Sequence, residues 1–216
     1  MLLSLEHVAK THWVGPYEKP TLVDVSLSLA PGDFVGIYGG RRAGKSTLLR
    51  LSAGLDVPDR GVVRFDGIDL ATLSRARLGA RRLREIGIAA GGGPRSIELT
   101  VADYVALPLM GERPAVVRHR VRDALQRVGV LECREATWPQ LSDSERMLAS
   151  VAHAIVRRPR LLLADDLVVR LDASQDHEVV ALLVDHDVLG LRRARRVPVR
   201  VQRDAADGAE PAAPDR

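Results

Sequence analysis

Apolar and polar positions alternate over residues 21–29. Val23, Val25, Leu27 and Leu29 are expected on one face, and Asp24, Ser26 and Ser28 on the other. This period of two predicts a half-buried strand, with a looser one over 2–8 before it. The turn Pro31-Gly32-Asp33 leads into a short, apolar, β-prone segment, Phe34-Val35-Gly36-Ile37-Tyr38. The period then becomes helical over 46–53, with Leu48, Leu49 and Leu51 on the buried side and Gly54 closing the helix. Pro58-Asp59-Arg60-Gly61 turns into a strand over 62–65, ended by the hairpin-type pair Asp66-Gly67. An arginine-rich helix is predicted over 73–85 and a short strand over 86–90, before Gly91-Gly92-Gly93-Pro94 breaks regular structure.

Thr100, with Asp103 three residues on, caps a helix over 100–106. The segment 114–128 carries Val117, Val121, Leu125 and Val128 at helical spacing, and Gly129 stops it. Leu141-Ser142-Asp143-Ser144 opens another helix that should bury Leu148, Val151, Ala152 and Ile155 and end at Pro159. The continuous apolar run 161–164 predicts a strand buried on both faces, ending in Asp165-Asp166. A similar run over 179–184 ends in Asp185-His186-Asp187, and 197–201 is the last predicted strand. Residues 204–216 show no periodicity and are expected to form a disordered tail. Strands alternating with helices make an α/β domain with a site at the carboxyl ends of its strands. The nearly all-helical stretch 99–140 is expected to sit apart as a lobe.

Candidate chemistry is densest at Gly39-Gly40-Arg41-Arg42-Ala43-Gly44-Lys45-Ser46-Thr47, which has the phosphate-binding pattern G-x-x-x-x-G-K-[ST]. Its flanks, a strand before and a helix after, are those the motif needs to act. Backbone N–H groups of the loop and the helix N-terminus would cradle a polyphosphate. Lys45 would reach the β and γ phosphates, and the Ser46 hydroxyl would face Mg²⁺.

Composition narrows the picture. Hydrophobic residues make up 46% of the 216 and aromatics only 3%, so Leu, Val and Ala must fill the core. No apolar run approaches a bilayer span, and residues 1–7, lacking a basic region, are not expected to be a signal peptide. Cys133 is the only cysteine and offers no disulfide or thiolate metal site; a small buried side chain is its simplest role. Net charge is +4, and only Lys10, Lys19 and Lys45 among the 32 basic residues are lysines. Acids are interspersed with bases, so a nucleic-acid partner is not expected. The run Arg192-Arg193-Ala194-Arg195-Arg196 reads as a solvated helix face rather than a DNA or lipid contact.

The motif order resembles that of ATP-binding subunits of ABC transporters, in the subgroup serving lipoprotein release, macrolide export and cell division. The resemblance covers about residues 2–205. It rests on Val8-Ala9-Lys10-Thr11, Leu22-Val23-Asp24-Val25-Ser26-Leu27, Gly44-Lys45-Ser46-Thr47-Leu48-Leu49, Leu99-Thr100-Val101 and Val105-Ala106-Leu107-Pro108-Leu109. Leu141-Ser142, Asp165-Asp166, Leu171-Asp172 and Asp185-His186-Asp187 follow in the family's order. The resemblance implies a P-loop NTPase core with a mostly parallel sheet, an antiparallel N-terminal β subdomain and an inserted helical lobe at about 99–140, all within an ATP-binding domain over 1–203. It implies ATP and Mg²⁺, a transmembrane permease subunit, a second ATP-binding subunit in a homo- or heterodimer, and a cytoplasmic position, peripheral on the inner face of the membrane. Asp165 matches the Mg²⁺-holding aspartate, Asp166 the position that polarises the attacking water, and His186 the γ-phosphate sensor. His12, with Trp13 beside it, falls where an aromatic stacks on adenine. Leu141-Ser142-Asp143-Ser144-Glu145 matches the signature that meets the nucleotide of the opposite subunit. Read without the resemblance, the alternative role for Asp165-Asp166 is a helix cap, which the P-loop upstream disfavours.

The departures cluster on catalytic parts. Asp143 and Ser144 stand where the signature has glycines, and like-charge repulsion near 4 Å is about 1 kcal/mol in water and about 4 kcal/mol at an effective dielectric of 20. Arg146 would offset part of it. Gly91 stands where a metal-touching glutamine is usual, Arg41 and Arg42 replace small residues, and Asp166 is one methylene shorter than glutamate. The segment between Asp172 and His186 is too short for the family's helix plus strand. The leading reading is a transporter ATPase; the alternative is a hydrolysis-impaired ATP-binding subunit acting as a regulatory or heterodimer partner.

Overall fold

The computed structural model describes residues 1–39, 43–89, 93–94, 98–165, 178–183 and 194–198. The expectations for Gly40, Arg41, Arg42, Gly91, Asp166, Asp172, His186 and the tail 204–216 lie outside them.

Two long strands, β1 (Leu3–Val14) and β2 (Tyr17–Leu29), pair antiparallel. Three irregularities shift their register: an extra β1 residue between the pairs Leu5↔Leu27 and Val8↔Val25, an extra β2 residue before Lys10↔Leu22, and another β2 residue between Lys10↔Leu22 and Thr11↔Pro20. His7 (φ 51°) and Asp24 (φ 52°) sit at the first two, and His7 Nδ1 lies 2.7 Å from Asp24 Oδ1. The second bulge corrects the simple alternation. Leu22 is buried, whereas Val23, expected inward, is 44% exposed. One extra residue reverses which side chains face the core.

β3 (Phe34–Gly39) follows, then α1 (Lys45–Ser52), which buries Leu48, Leu49 and Leu51 as expected. β4 (Arg60–Phe65) and β5 (Ile68–Asp69) form a hairpin across Asp66 and Gly67, both at positive φ (53° and 75°), the requirement of a tight two-residue turn. α2 (Arg75–Glu85), capped by the Ser74 side chain, leads directly into β6 (Ile86–Ala89). The helical stretch comprises α3 (Val101–Ala106) and α4 (Pro114–Val128), followed by α5 (Asp143–Ile155). Capping boxes at Thr100/Asp103 and Ser142/Glu145, and left-handed Gly129 (φ 76°), set these boundaries. Then come β7 (Leu161–Ala164), β8 (Glu178–Leu183) and β9 (Ala194–Pro198).

The strands form two sheets, β2-β1-β4-β5, fully antiparallel, and β6-β7-β8-β3-β9. In the second, β6 pairs parallel with β7 and β3 with β9, while β8 runs antiparallel to both β7 and β3. Four strands thus share one direction and β8 opposes them. A parallel neighbour needs a crossover of about a dozen residues or more, usually a helix. The link 165–177 is at that limit, and the chain enters β8 in the opposite sense. The arginine run is also corrected: Ala194, Arg195 and Arg196 belong to edge strand β9, not to a helix.

β7 is buried along its whole length. Leu161 and Leu163 join the core under β1, β2, β3, β4 and α1; Leu162 and Ala164 join a second core formed with α3, α4 and α5. Before β7, the Arg160 guanidinium clasps Asp66 through Nη1–Oδ2 (2.8 Å) and Nη2–Oδ1 (3.0 Å). On the other side α5 lies directly on β6, because Gly87 has no Cβ; one would run into the Ala154 carbonyl oxygen.

In the second core His153 stacks on Tyr104, with ring centroids 4.5 Å apart and planes at 13°. Burial disfavours the charged imidazolium and pushes the His153 pKa down from 6.5 to about 4. The unfolded chain therefore binds a proton that the folded chain refuses between those values. Stability from this group is complete above about pH 6.5 and is lost as pH falls through about 4, by about 2–3 kcal/mol. Urea unfolding at pH 7.5 and 4.5 should show that loss, and His153→Gln should reduce the difference between the two pH values by about that amount.

Candidate functional site

Gly44 caps α1 in the left-handed conformation, φ 88°. A Cβ there would lie 2.6 Å from the Thr21 carbonyl oxygen and 2.8 Å from Leu22 Cδ2, so β2 presses directly on the loop. Only glycine fits both the dihedral and the contact. The first helical bond runs from Leu48 N–H to the Gly44 carbonyl (2.9 Å). The first turn of a helix lies ahead of its own hydrogen-bond ladder, and its backbone N–H groups form the arrangement that binds anions. Lys45 is buried at this end, Ala43 and Thr47 are half-buried, and Ser46 is exposed. No acidic residue occupies the first turn of α1.

His12 of β1 reaches the same turn, with Nε2 3.3 Å from Thr47 Oγ1. Trp13, one residue on, points to the other face of the hairpin and is 65% exposed. Gly39 ends β3, paired with Glu178. Asp165 follows β7, is half-buried, and donates its N–H to the Ala89 carbonyl (2.9 Å). Because β3 and β7 share a direction, Asp165 and the loop after β3 lie at the same edge of the sheet. They are separated by β8, hence by two strand spacings of about 5 Å each.

The N-terminus of α5 differs from that of α1. Leu141 is buried in the second core, and Ser142 is the cap. Glu145 folds back to accept from Ser142 N–H (2.8 Å) and the Ser142 hydroxyl (2.7 Å). The Ser142 hydroxyl, then its N–H, then Cys133 hold the Glu145 carboxyl below the usual carboxylate range. Cys133 is half-buried and donates its thiol to Glu145 Oε1 at 3.2 Å; burial first, then this carboxylate, pushes its pKa up. Asp143 is fully exposed and pairs with Arg146 Nη1 at 3.2 Å, and Arg146 Nε donates to the Trp138 carbonyl at 3.2 Å. Ser144 is exposed beside them. Two carboxylates thus complement the positive end of α5, whereas the first turn of α1 contains no acidic residue.

The structure joins His12, Gly44, Lys45, Ser46 and Thr47 in one cluster and sets Leu141 to Glu145 on a separate helix end. Sequence reading missed the Cys133–Glu145 and His12–Thr47 contacts, which only the folded chain brings together; the i,i+3 spacing of Asp143 and Arg146 did signal their pairing. Gly44→Ala should cost about 1–3 kcal/mol of stability in urea unfolding and remove triphosphate binding in an ATP titration.

Comparison with known proteins follows the same geometry. Residues 22–169 match the ABC transporter family. The lipoprotein-releasing system ATP-binding protein LolD of Bordetella pertussis is 40% identical over 184 residues, covering 84% of this chain and 79% of that protein. The macrolide export ATP-binding/permease protein MacB of Syntrophobacter fumaroxidans is 31% identical over 218 residues, covering 93% of this chain and 30% of that protein. Among solved structures, the dimeric post-hydrolysis state of the cassette MJ0796 bound to ADP and Pi superimposes with a TM-score of 0.71 at 28% identity, over 79% of this chain and 76% of that one. Sequence and fold agree: the chain belongs to the ABC transporter family and has the ATPase cassette fold of its ATP-binding subunits.

Proposed function

We propose that this chain couples Mg-ATP binding and hydrolysis to a transmembrane permease subunit that moves a substrate. The observation that carries the reading is the acid-free first turn of α1 behind left-handed Gly44, at the same sheet edge as Asp165. Residues 39–47 hold the phosphates through backbone N–H groups, and Lys45 adds its charge to the β and γ phosphates. The Ser46 hydroxyl and the Asp165 carboxylate are hard oxygen donors of the kind Mg²⁺ takes alongside phosphate oxygens. Bound there, the ion would offset charge building on the γ-phosphate. Asp166 orients the attacking water, and His186 contacts the γ-phosphate.

The assembly contains a second ATP-binding subunit, whose nucleotide meets residues 141–145 of this one. Residues 1–203 act as one ATP-binding domain with a helical lobe at about 99–140. Among the described residues no helix is long and apolar enough to cross a membrane, which fits a subunit docked on the inner face of the cell membrane. The hydrolysis-impaired alternative is not favoured, since the cassette neighbour with ADP and Pi is a post-hydrolysis state.

Phosphate release by the full-length chain, alone and with a candidate permease subunit, tests this. Mg-dependent release that the permease accelerates and Lys45→Ala abolishes is the expected result. ATP binding without release in either state would sink the coupling role. Asp143→Gly should raise the rate about fivefold, the effect of removing about 1 kcal/mol of repulsion at a nucleotide's phosphates; an unchanged rate would mean that Arg146 already cancels the charge.

A further inference from the structure

The tip of the β1–β2 hairpin carries two exposed aromatic rings in a chain that has few: Trp13 is 65% exposed and Tyr17 is 75% exposed. Elsewhere Phe65 and Tyr104 are buried, and Trp138 packs against the second core. The register decides which exposed ring lies near the site. Directly opposed residues of an antiparallel pair share a face. His12 opposes Lys19, Val14 opposes Tyr17, and Trp13 opposes Glu18. Alternation along β1 sets His12 on one face and Trp13 on the other, and alternation along β2 gives Lys19 and Tyr17 the same face. The His12 face is the one that meets α1, through the 3.3 Å approach of Nε2 to Thr47 Oγ1. Tyr17 therefore shares the face of His12, and Trp13 does not.

The spacing is suited to a flat guest. His12 and Tyr17 are diagonal neighbours across the hairpin, a relation that separates side chains by about 7–8 Å. That is twice the carbon–carbon contact distance of about 3.5–4 Å. One aromatic ring system inserted between them would touch both.

We propose that Tyr17, not Trp13, is the second wall of the base site, so that the purine of a nucleoside triphosphate lies between the His12 and Tyr17 rings while its phosphates rest on the N-terminus of α1. The proposal rests on the nucleotide-binding reading above and adds to it a residue and a selectivity. Stacking recognises a ring face and tolerates different hydrogen-bonding edges. The site accepts purine nucleotides as a class, ATP and GTP alike, and holds the smaller pyrimidine of CTP less well.

The test is calorimetric titration of the full-length chain with ATP, GTP, CTP and inorganic tripolyphosphate, all with Mg²⁺. Tyr17→Ala should weaken ATP about tenfold, equivalent to about 1.4 kcal/mol, and leave tripolyphosphate within about twofold. Tyr17→Phe should stay close to the unaltered chain, because the ring and not the hydroxyl makes the contact. ATP and GTP should differ by less than about threefold, and Trp13→Ala should cost less than Tyr17→Ala. Unweakened ATP binding in Tyr17→Ala, an equal loss for tripolyphosphate, or a larger loss in Trp13→Ala each overturns the assignment while leaving the nucleotide reading standing. Failure of the unaltered chain to bind either ATP or tripolyphosphate removes both together.

Discussion

The arrangement depends on one four-residue strand having no solvent face. β7 sends Leu161 and Leu163 into the core beneath the N-terminal sheet and Leu162 and Ala164 into the core among the helices. A polar residue at any of these positions would be stranded in one core or the other. Because both layers close on the same strand, its end is fixed relative to both, and Asp165 leaves from that fixed point. The β6 partner adds a further constraint through the bond from Asp165 N–H to the Ala89 carbonyl.

Two helix ends then divide the electrostatic work. α1 begins without carboxylates and with a buried lysine; α5 begins with Ser142 capped by Glu145 and with Asp143 held by Arg146. Both are positive dipole ends, but only the second carries acidic residues in its own first turn. The proposed phosphate cradle is thus a local property of 43–48 together with the pressure of β2 on Gly44. Residues 141–145 keep a capped helix start that carries two carboxylates.

Much of this was legible before the fold was known. The loop around Lys45, the strand before it and the helix after it follow from residue types at fixed spacing, and the caps at Thr100 and Ser142 follow from short-range side-chain chemistry. Residues 114–128 show their helix in full because periodicity, Pro114 and Gly129 all agree. What periodicity could not show was parity and direction. A bulge at Asp24 exchanges Leu22 for Val23 with no compositional sign. The run 179–184 is apolar enough for a buried strand whichever way it runs, so the reversal of β8 depends on chain length between neighbours. The arginines at 195 and 196 gave a surface signal that fits an edge strand as well as a helix. Cys133 meets Glu145 only because the turn before α5 folds back, which no spacing rule anticipates.

The contact at Gly87 bears on how the molecule transmits movement. Where two elements meet through long side chains, a small slide can be taken up by rotamer changes. Between α5 and β6 there is no such cushion, since the backbone of one rests on the backbone of the other at Ala154 and Gly87. A tilt of the helix that begins at Ser142 is therefore handed on undamped to the strand that leads to residue 90, making the pair a stiff lever rather than two separately adjustable parts.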